Sequence, residues 1–281
     1  MTVKKSIYPS EKTVINRNRS IVQYLSQIYQ KILKKVLLLF VTALVLFLLT
    51  KIFSDFSFYL AKLIYPKWQQ LDPDGSYLNI SIHHIFQAIF ALVCIWVIKK
   101  GMKNSWSDFG FNTNEWRFAT KRVIQFCAIW FGVQSIVAIA MILSGTMPVP
   151  FHFPLTGLNF VSYFLFQVLL SGTSEEILFR AMVIFPMLHV GKRAGLSDKT
   201  NTIIAVVVSI LIFMLAHVNI SLNPFRVTNF FFMQQLTVLT FGAFYAYMLL
   251  KTKSLVGSIL AHNWLNGVIV LIGLLVNLVF G

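Results

Sequence analysis

The sequence predicts an all-α fold, a polytopic transmembrane helix bundle with about seven or eight membrane segments. Of its 281 residues 57% are hydrophobic, and the mean hydropathy is +0.74. Only 12% of residues are charged, about half the share of a soluble domain. Those charges lie in short stretches between apolar runs long enough to cross a bilayer. Such a composition excludes a disordered chain and most water-soluble folds.

Along the chain, residues 1–35 form a polar, basic lead whose Ile21, Tyr24, Leu25 and Ile28 recur at helical spacing. This suits a cytoplasmic or interfacial segment, and no small-residue cleavage site follows the first apolar run, so a removable signal peptide is not expected. Residues 36–281 form the bundle. Its expected spans are Val36 to Phe53, Ile80 to Ile98, Val123 to Ser144, Leu155 to Leu188, Ile203 to Val218, Phe230 to Leu250 and Leu255 to Phe280. The fourth exceeds the ~20 residues a bilayer requires, so it is one long helix or two spans broken near Ser171, Gly172 and Thr173. Asp72-Pro73-Asp74-Gly75 marks a turn between the first two spans, and Pro148, Pro150 and Pro154 interrupt the helix before the fourth. Cys94 and Cys127 lack metal-site spacing and are expected to be free thiols.

The 24 Lys and Arg against 9 Asp and Glu give a net charge of +15. Orientation in a bilayer accounts for this excess without a nucleic-acid partner, since basic residues accumulate in short cytoplasmic loops. With the N-terminus inside and seven spans, 19 basic residues fall inside; Lys51, Lys62, Lys67 and Arg226 remain outside, and Arg180 lies within the membrane region. An eight-span arrangement moves Lys192, Arg193, Lys199, Lys251 and Lys253 outside and weakens the asymmetry. The expected location is a cell membrane with a cytoplasmic N-terminus, and the basic loops suit anionic lipid headgroups.

Ionisable groups inside spans are costly and mark functional sites by default. Three clusters stand out. In Ser174-Glu175-Glu176-Ile177-Leu178-Phe179-Arg180, Glu176 and Arg180 stand four apart on one helical face and can pair, while Glu175 points about 100° away. The bland account is a self-neutralising bridge that orients the helix; it leaves Glu175 unassigned, and a carboxylate in a partly desolvated pocket suits a general base. His217, near Asn219, ends an otherwise apolar span, where it is either an interior histidine bonded to a carbonyl or a reacting group. His262 and Asn266 share a face one turn apart and either glue helices together or donate hydrogen bonds into a site.

Brought together, these clusters suit hydrolysis. Glu175, assisted by His217, would activate water for attack on an amide carbonyl. His262 and Asn266 would stabilise the oxyanion, with Glu176 and Arg180 holding the reacting carboxylate in orientation. No cofactor is called for. Two histidines and a glutamate also make a conceivable zinc set, but His-Glu-x-x-His is absent from the sequence and no metal ligand is assigned. A non-proteolytic scaffold, immunity or regulatory protein would need the helical surface alone, and a transporter would use the intramembrane acids as an ion path.

The same residues resemble the CAAX-processing and bacteriocin-processing (CPBP, or Abi) family of intramembrane glutamate endopeptidases. Glu175-Glu176-Ile177-Leu178-Phe179-Arg180 is similar to its two-glutamate and arginine motif, Phe213 to His217 to its Phe and His four apart, and His262 with Asn266 to its closing pair, in the same order. The resemblance covers roughly residues 155–281, the expected protease-like core. It implies water activation by Glu175 and His217, an oxyanion site at His262 and Asn266, and a membrane-associated peptide or protein as substrate. A bacterial member would act on something other than a prenylated protein. The motifs assign neither the substrate nor the oligomeric state.

Overall fold

The computed structural model describes residues 11–145, 151–222 and 225–280, with side chains from Gln23 onward apart from those of 220–225. The first part of the basic lead, the side chain of Ile21, and Pro148 and Pro150 therefore lie outside the described residues. Of the described residues 84% are helical. Among them five helices are long and apolar enough to cross a membrane, which makes this a helical membrane protein.

The first helix, α1 (Glu11–Ile64), is 54 residues long, about 80 Å at the rise of an α-helix. It contains neither Gly nor Pro, so nothing breaks it where the polar lead meets the first apolar run or at Phe53; it ends at Tyr65-Pro66. Tyr24, Leu25 and Ile28 are exposed on its leading part. The expected turn comes next, with the Gly75 amide donating to the Asp72 carbonyl at 3.1 Å. Gly75 has φ +66°, a conformation that favours glycine. The buried Asp72 carboxylate accepts from the Ser76 amide at 2.8 Å and the Ser76 hydroxyl at 2.8 Å. Its other oxygen accepts from the amides of Tyr77 at 2.9 Å and Leu78 at 2.7 Å. In this way Asp72 satisfies the first free amides of α2 (Leu78–Met102).

After α3 (Trp116–Leu143), Thr156 caps α4 (Gly157–Leu165) by accepting the Asn159 amide at 3.2 Å. The chain then runs through a π-helical turn Phe166–Ser171, α5 (Gly172–Glu176), a second π turn Ile177–Ala181 and α6 (Met182–Arg193). Every junction is right-handed helix, so the fourth expected segment is one irregular rod and not two spans. It is the spine of the fold: each residue from Glu176 to Ile184 is buried. The remaining helices are α7 (Asp198–Ala216), α8 (Phe232–Thr252) and α9 (Leu255–Phe280). Between α7 and α8 lies an antiparallel hairpin, β1 (Asn219–Leu222) with β2 (Phe225–Asn229), where only a connection was expected. Asn219 is exposed there, away from the bundle interior. Helix α8 carries Gln234, Gln235, Thr237 and Thr240 and is not among the five long apolar helices.

Contacts between loops identify the two ends of the bundle. At one end Lys35 Nζ reaches the Gly195 carbonyl at 3.4 Å, Asn112 donates to the Lys253 carbonyl at 2.8 Å, and the Leu255 amide donates to Gly110 at 2.8 Å. At the other, Asn159 donates to Asp74 at 2.8 Å. Among the described residues seven rods thus alternate between a basic end, bearing Lys99, Lys100, Lys103, Lys192, Arg193, Lys251 and Lys253, and an end with Asp72 and Asp74. Apolar side chains such as Leu37, Ile136 and Leu278 are exposed along the rods, where lipid would cover them. Cys94 and Cys127 are free thiols.

Asp72 yields a test. Burial raises its pKa, but the hydrogen bonds from Leu78, Tyr77 and Ser76 outweigh this and hold the carboxyl below the usual range. Because the folded value lies below the unfolded one, this stabilisation is complete above the ordinary carboxylate range and is lost as pH falls through the lowered value. Asp72→Ala should cost about 1–3 kcal/mol in thermal unfolding at neutral pH. Amide exchange at residues 76–78 should rise in the variant, and in the unsubstituted protein only at acid pH.

Candidate active site within the bundle

The two π turns explain how the rod and α9 come together. A π turn replaces the α-helical hydrogen bonds with i to i+5 ones, and where the pitch changes some backbone groups are left to other partners. Around the first turn these come largely from side chains. The Asn263 side-chain oxygen accepts the Gly172 amide at 2.8 Å, Thr173 donates to the Leu169 carbonyl at 2.6 Å, and Ser174 donates to the Ser171 carbonyl at 3.0 Å. Gly172 has to lack a side chain, since a Cβ there would stand 2.6 Å from His262 Cβ and 2.6 Å from Asn263 Oδ1. Helix α9 therefore lies directly on the rod, one turn from the two glutamates.

The expected Glu176 to Arg180 pair is present, with Oε2 and Nε at 3.3 Å and both side chains fully buried. It spans the second π turn. The Arg180 guanidinium also lies 4.4 Å from the Phe213 ring centre and 5.4 Å from that of Tyr245. Glu176 has a second partner that the sequence did not reveal: its Oε1 accepts from His262 Nδ1 at 2.9 Å. His262 Nε2 then faces Glu175 Oε2 at 3.7 Å, so the ring stands between the two carboxylates. Tyr245 stacks on the other side of that ring, with centroids 4.6 Å apart.

His217, His262 and Asn266 line one cavity of about 340 Å³ together with Phe213, Tyr245 and Gln134. His217 follows the last residue of α7, and its Nδ1 donates to the Phe213 carbonyl at 2.9 Å. This is the carbonyl-bonded histidine of the bland account, yet the bond leaves Nε2 as a free acceptor. Gln235 on α8 approaches the His217 carbonyl at 3.4 Å. Asn266 donates one amide hydrogen to Ser171 Oγ at 3.2 Å and retains the other. The Glu175 side chain is 18% exposed, in contrast to the sealed Glu176. Among the described residues Glu175 makes no direct hydrogen bond to His217. Three of the four candidate residues thus line one space, and Glu175, which is not among its lining residues, is joined to it through His262.

Three neighbours were missed. His84 on α2 has its Nδ1 in a short hydrogen bond with Ser174 Oγ; it was visible in principle as an ionisable group in an apolar span. Asn263 stood unassigned beside His262. Tyr245 carries no local signal, since an aromatic residue is ordinary in such a helix. Among the described residues no group of three His, Cys, Asp or Glu side chains is arranged to hold a metal ion.

Residues 157–268 match the family described as Type II CAAX prenyl endopeptidase Rce1-like. The match runs from α4 into α9 and contains Glu175, Glu176, Arg180, His217, His262 and Asn266, while α1 to α3 lie outside it. No curated protein and no solved structure matches the chain. Over residues 157–268 the chain is thus similar to the Rce1-like proteins of the CPBP family, a family of CAAX-type intramembrane proteases.

Proposed function

We propose that this protein is an intramembrane endopeptidase that hydrolyses a peptide bond of a membrane-associated peptide or protein, using water activated by Glu175 and His217. The observation that carries the proposal is the cavity shared by His217, His262 and Asn266, with Glu175 at its edge through His262. These groups come from three separate elements, and water inside an apolar bundle has few other polar partners. A water between Glu175 and the free Nε2 of His217 gives up a proton to the carboxylate as it attacks the substrate carbonyl. The oxygen that becomes negative accepts from the spare Asn266 amide hydrogen and from His262 Nε2.

Geometry adds a condition to the last step. His262 Nδ1 is engaged by Glu176, so Nε2 donates only while both ring nitrogens carry protons. Glu175 hands the proton it took from water to the leaving amine, which closes the proton balance and leaves the His262 donor in place. Glu176 and Arg180 hold the ring and do not react. In this account residues 36–281 form the bundle, residues 155–281 its protease-like core, and residues 1–35 a cytoplasmic or interfacial segment. The basic end faces the cytoplasm of a cell membrane, in contact with anionic headgroups.

Comparative peptidomics of membranes carrying the unsubstituted protein or Glu175→Gln tests activity and finds substrates together. Glu175→Gln and His217→Ala should each lower cleavage by about 100-fold or more. A normally expressed Glu175→Gln protein that retains its cellular effect would instead identify a scaffold. In purified protein, Asn266→Ala should lower kcat about 100-fold with KM little changed. Chelation should leave the rate unaltered; stoichiometric zinc whose removal reversibly abolished cleavage would demand a metal mechanism in its place.

A further inference from the structure

We infer that His84 on α2 is a positioning residue for the Glu175 reaction, acting through Ser174; this rests on the proposed protease chemistry. His84, Ser171 and Ser174 are all buried. Ser174 Oγ donates its own hydrogen to the Ser171 carbonyl at 3.0 Å. It must therefore accept from His84, which fixes the hydrogen on Nδ1. The same Ser171 receives the Asn266 amide on its hydroxyl at 3.2 Å. His84 and Ser174 thus act on the Ser171 carbonyl while the proposed oxyanion donor rests on the hydroxyl of the same residue, and Ser174 directly precedes Glu175.

Packing acts in the same direction. The His84 ring stands edge-on against Phe166, with centroids 5.0 Å apart. His84 therefore touches the first residue of the π turn through its ring and reaches the last through Ser174. A π turn can relax toward regular helix by rotating the helix on its C-terminal side, which would turn Glu175 away from His262. His84 opposes that rotation from outside the matched domain, since α2 precedes residue 157. Its role is geometric: it sets the direction of the Glu175 carboxylate and leaves substrate contacts alone.

The experiment compares kcat and KM of His84→Ala, His84→Asn, Ser174→Ala and the His84→Ala/Ser174→Ala double variant, with Glu175→Gln as reference. His84→Ala should lower kcat about 10- to 100-fold, with KM within about twofold and an unchanged pH profile. Ser174→Ala should do the same, the double variant should be no worse than either, and His84→Asn, whose amide can replace the Nδ1 hydrogen, should recover most of the rate. Unchanged kcat in His84→Ala, additive losses, or an Asn variant no better than Ala would overturn the assignment while Glu175→Gln remains inactive. If Glu175→Gln cleaves normally, the protease chemistry itself fails and His84 positioning with it. Should His84→Ala fold poorly, Ser174→Ala and His84→Asn decide the matter.

Discussion

The contact on which the site depends is the Glu176 carboxylate held between Arg180 and His262. A carboxylate with no exposure inside an apolar bundle persists only when charge and hydrogen bonds compensate for the lost water. Here one oxygen takes the guanidinium and the other the imidazole. The first contact lies within the rod and the second crosses to α9, so this buried ion also ties together two of the three elements that carry the proposed reacting groups. Removing either partner would leave a buried charge uncompensated, which confines His262 to one orientation. The direction of its free nitrogen toward Glu175 results from that confinement.

Backbone irregularity supplies what the side chains alone could not. In a regular helix Glu175 and Glu176 would project about 100° apart, and a single neighbouring helix would meet only one of them. Both lie in the short α segment between the two π turns, and Gly172 lets α9 approach closely enough for one imidazole to stand between both carboxylates. The polar backbone groups of the first turn are taken up by Asn263, Thr173 and Ser174, so the irregularity is satisfied within protein and not exposed to lipid. Function and local strain relief therefore share residues.

Much of this was legible because the hydrophobic background makes each exception conspicuous. Asp72 to Gly75 was a turn by composition, and Glu176 and Arg180 were a pair by spacing. Partner choice was not legible. Nothing in the sequence says that His262 would bond to Glu176 while facing Glu175, since that depends on the approach of α9 at Gly172. The π turns were hidden because their residues have ordinary helix-forming character, and the expected weakness at Ser171 to Thr173 became a change of helical pitch instead of a break. Continuity of α1 past Phe53 stems from the absence of Gly and Pro, but hydropathy directed attention to the apolar run alone. His84 was overlooked for a different reason: its partner, Ser174, is an uncharged residue 90 positions away.

The placement of charge separates two demands on the same composition. At the ends of the rods, Lys and Arg remain exposed and gather where Lys35 meets Gly195 and Asn112 meets Lys253. Such groups need no individual partner where water reaches them. Arg180 is the exception that fits neither end. It is fully buried, with Glu176 as its ionic partner and two aromatic rings around it. A cation so enclosed cannot orient the chain in a bilayer; its effect is to hold Glu176 in place. That leaves Glu175, which has no guanidinium of its own and retains some exposure, as the carboxylate proposed to act on water. The asymmetry between two adjacent glutamates thus arises from one arginine four residues away, and it divides them into an anchor and a candidate base.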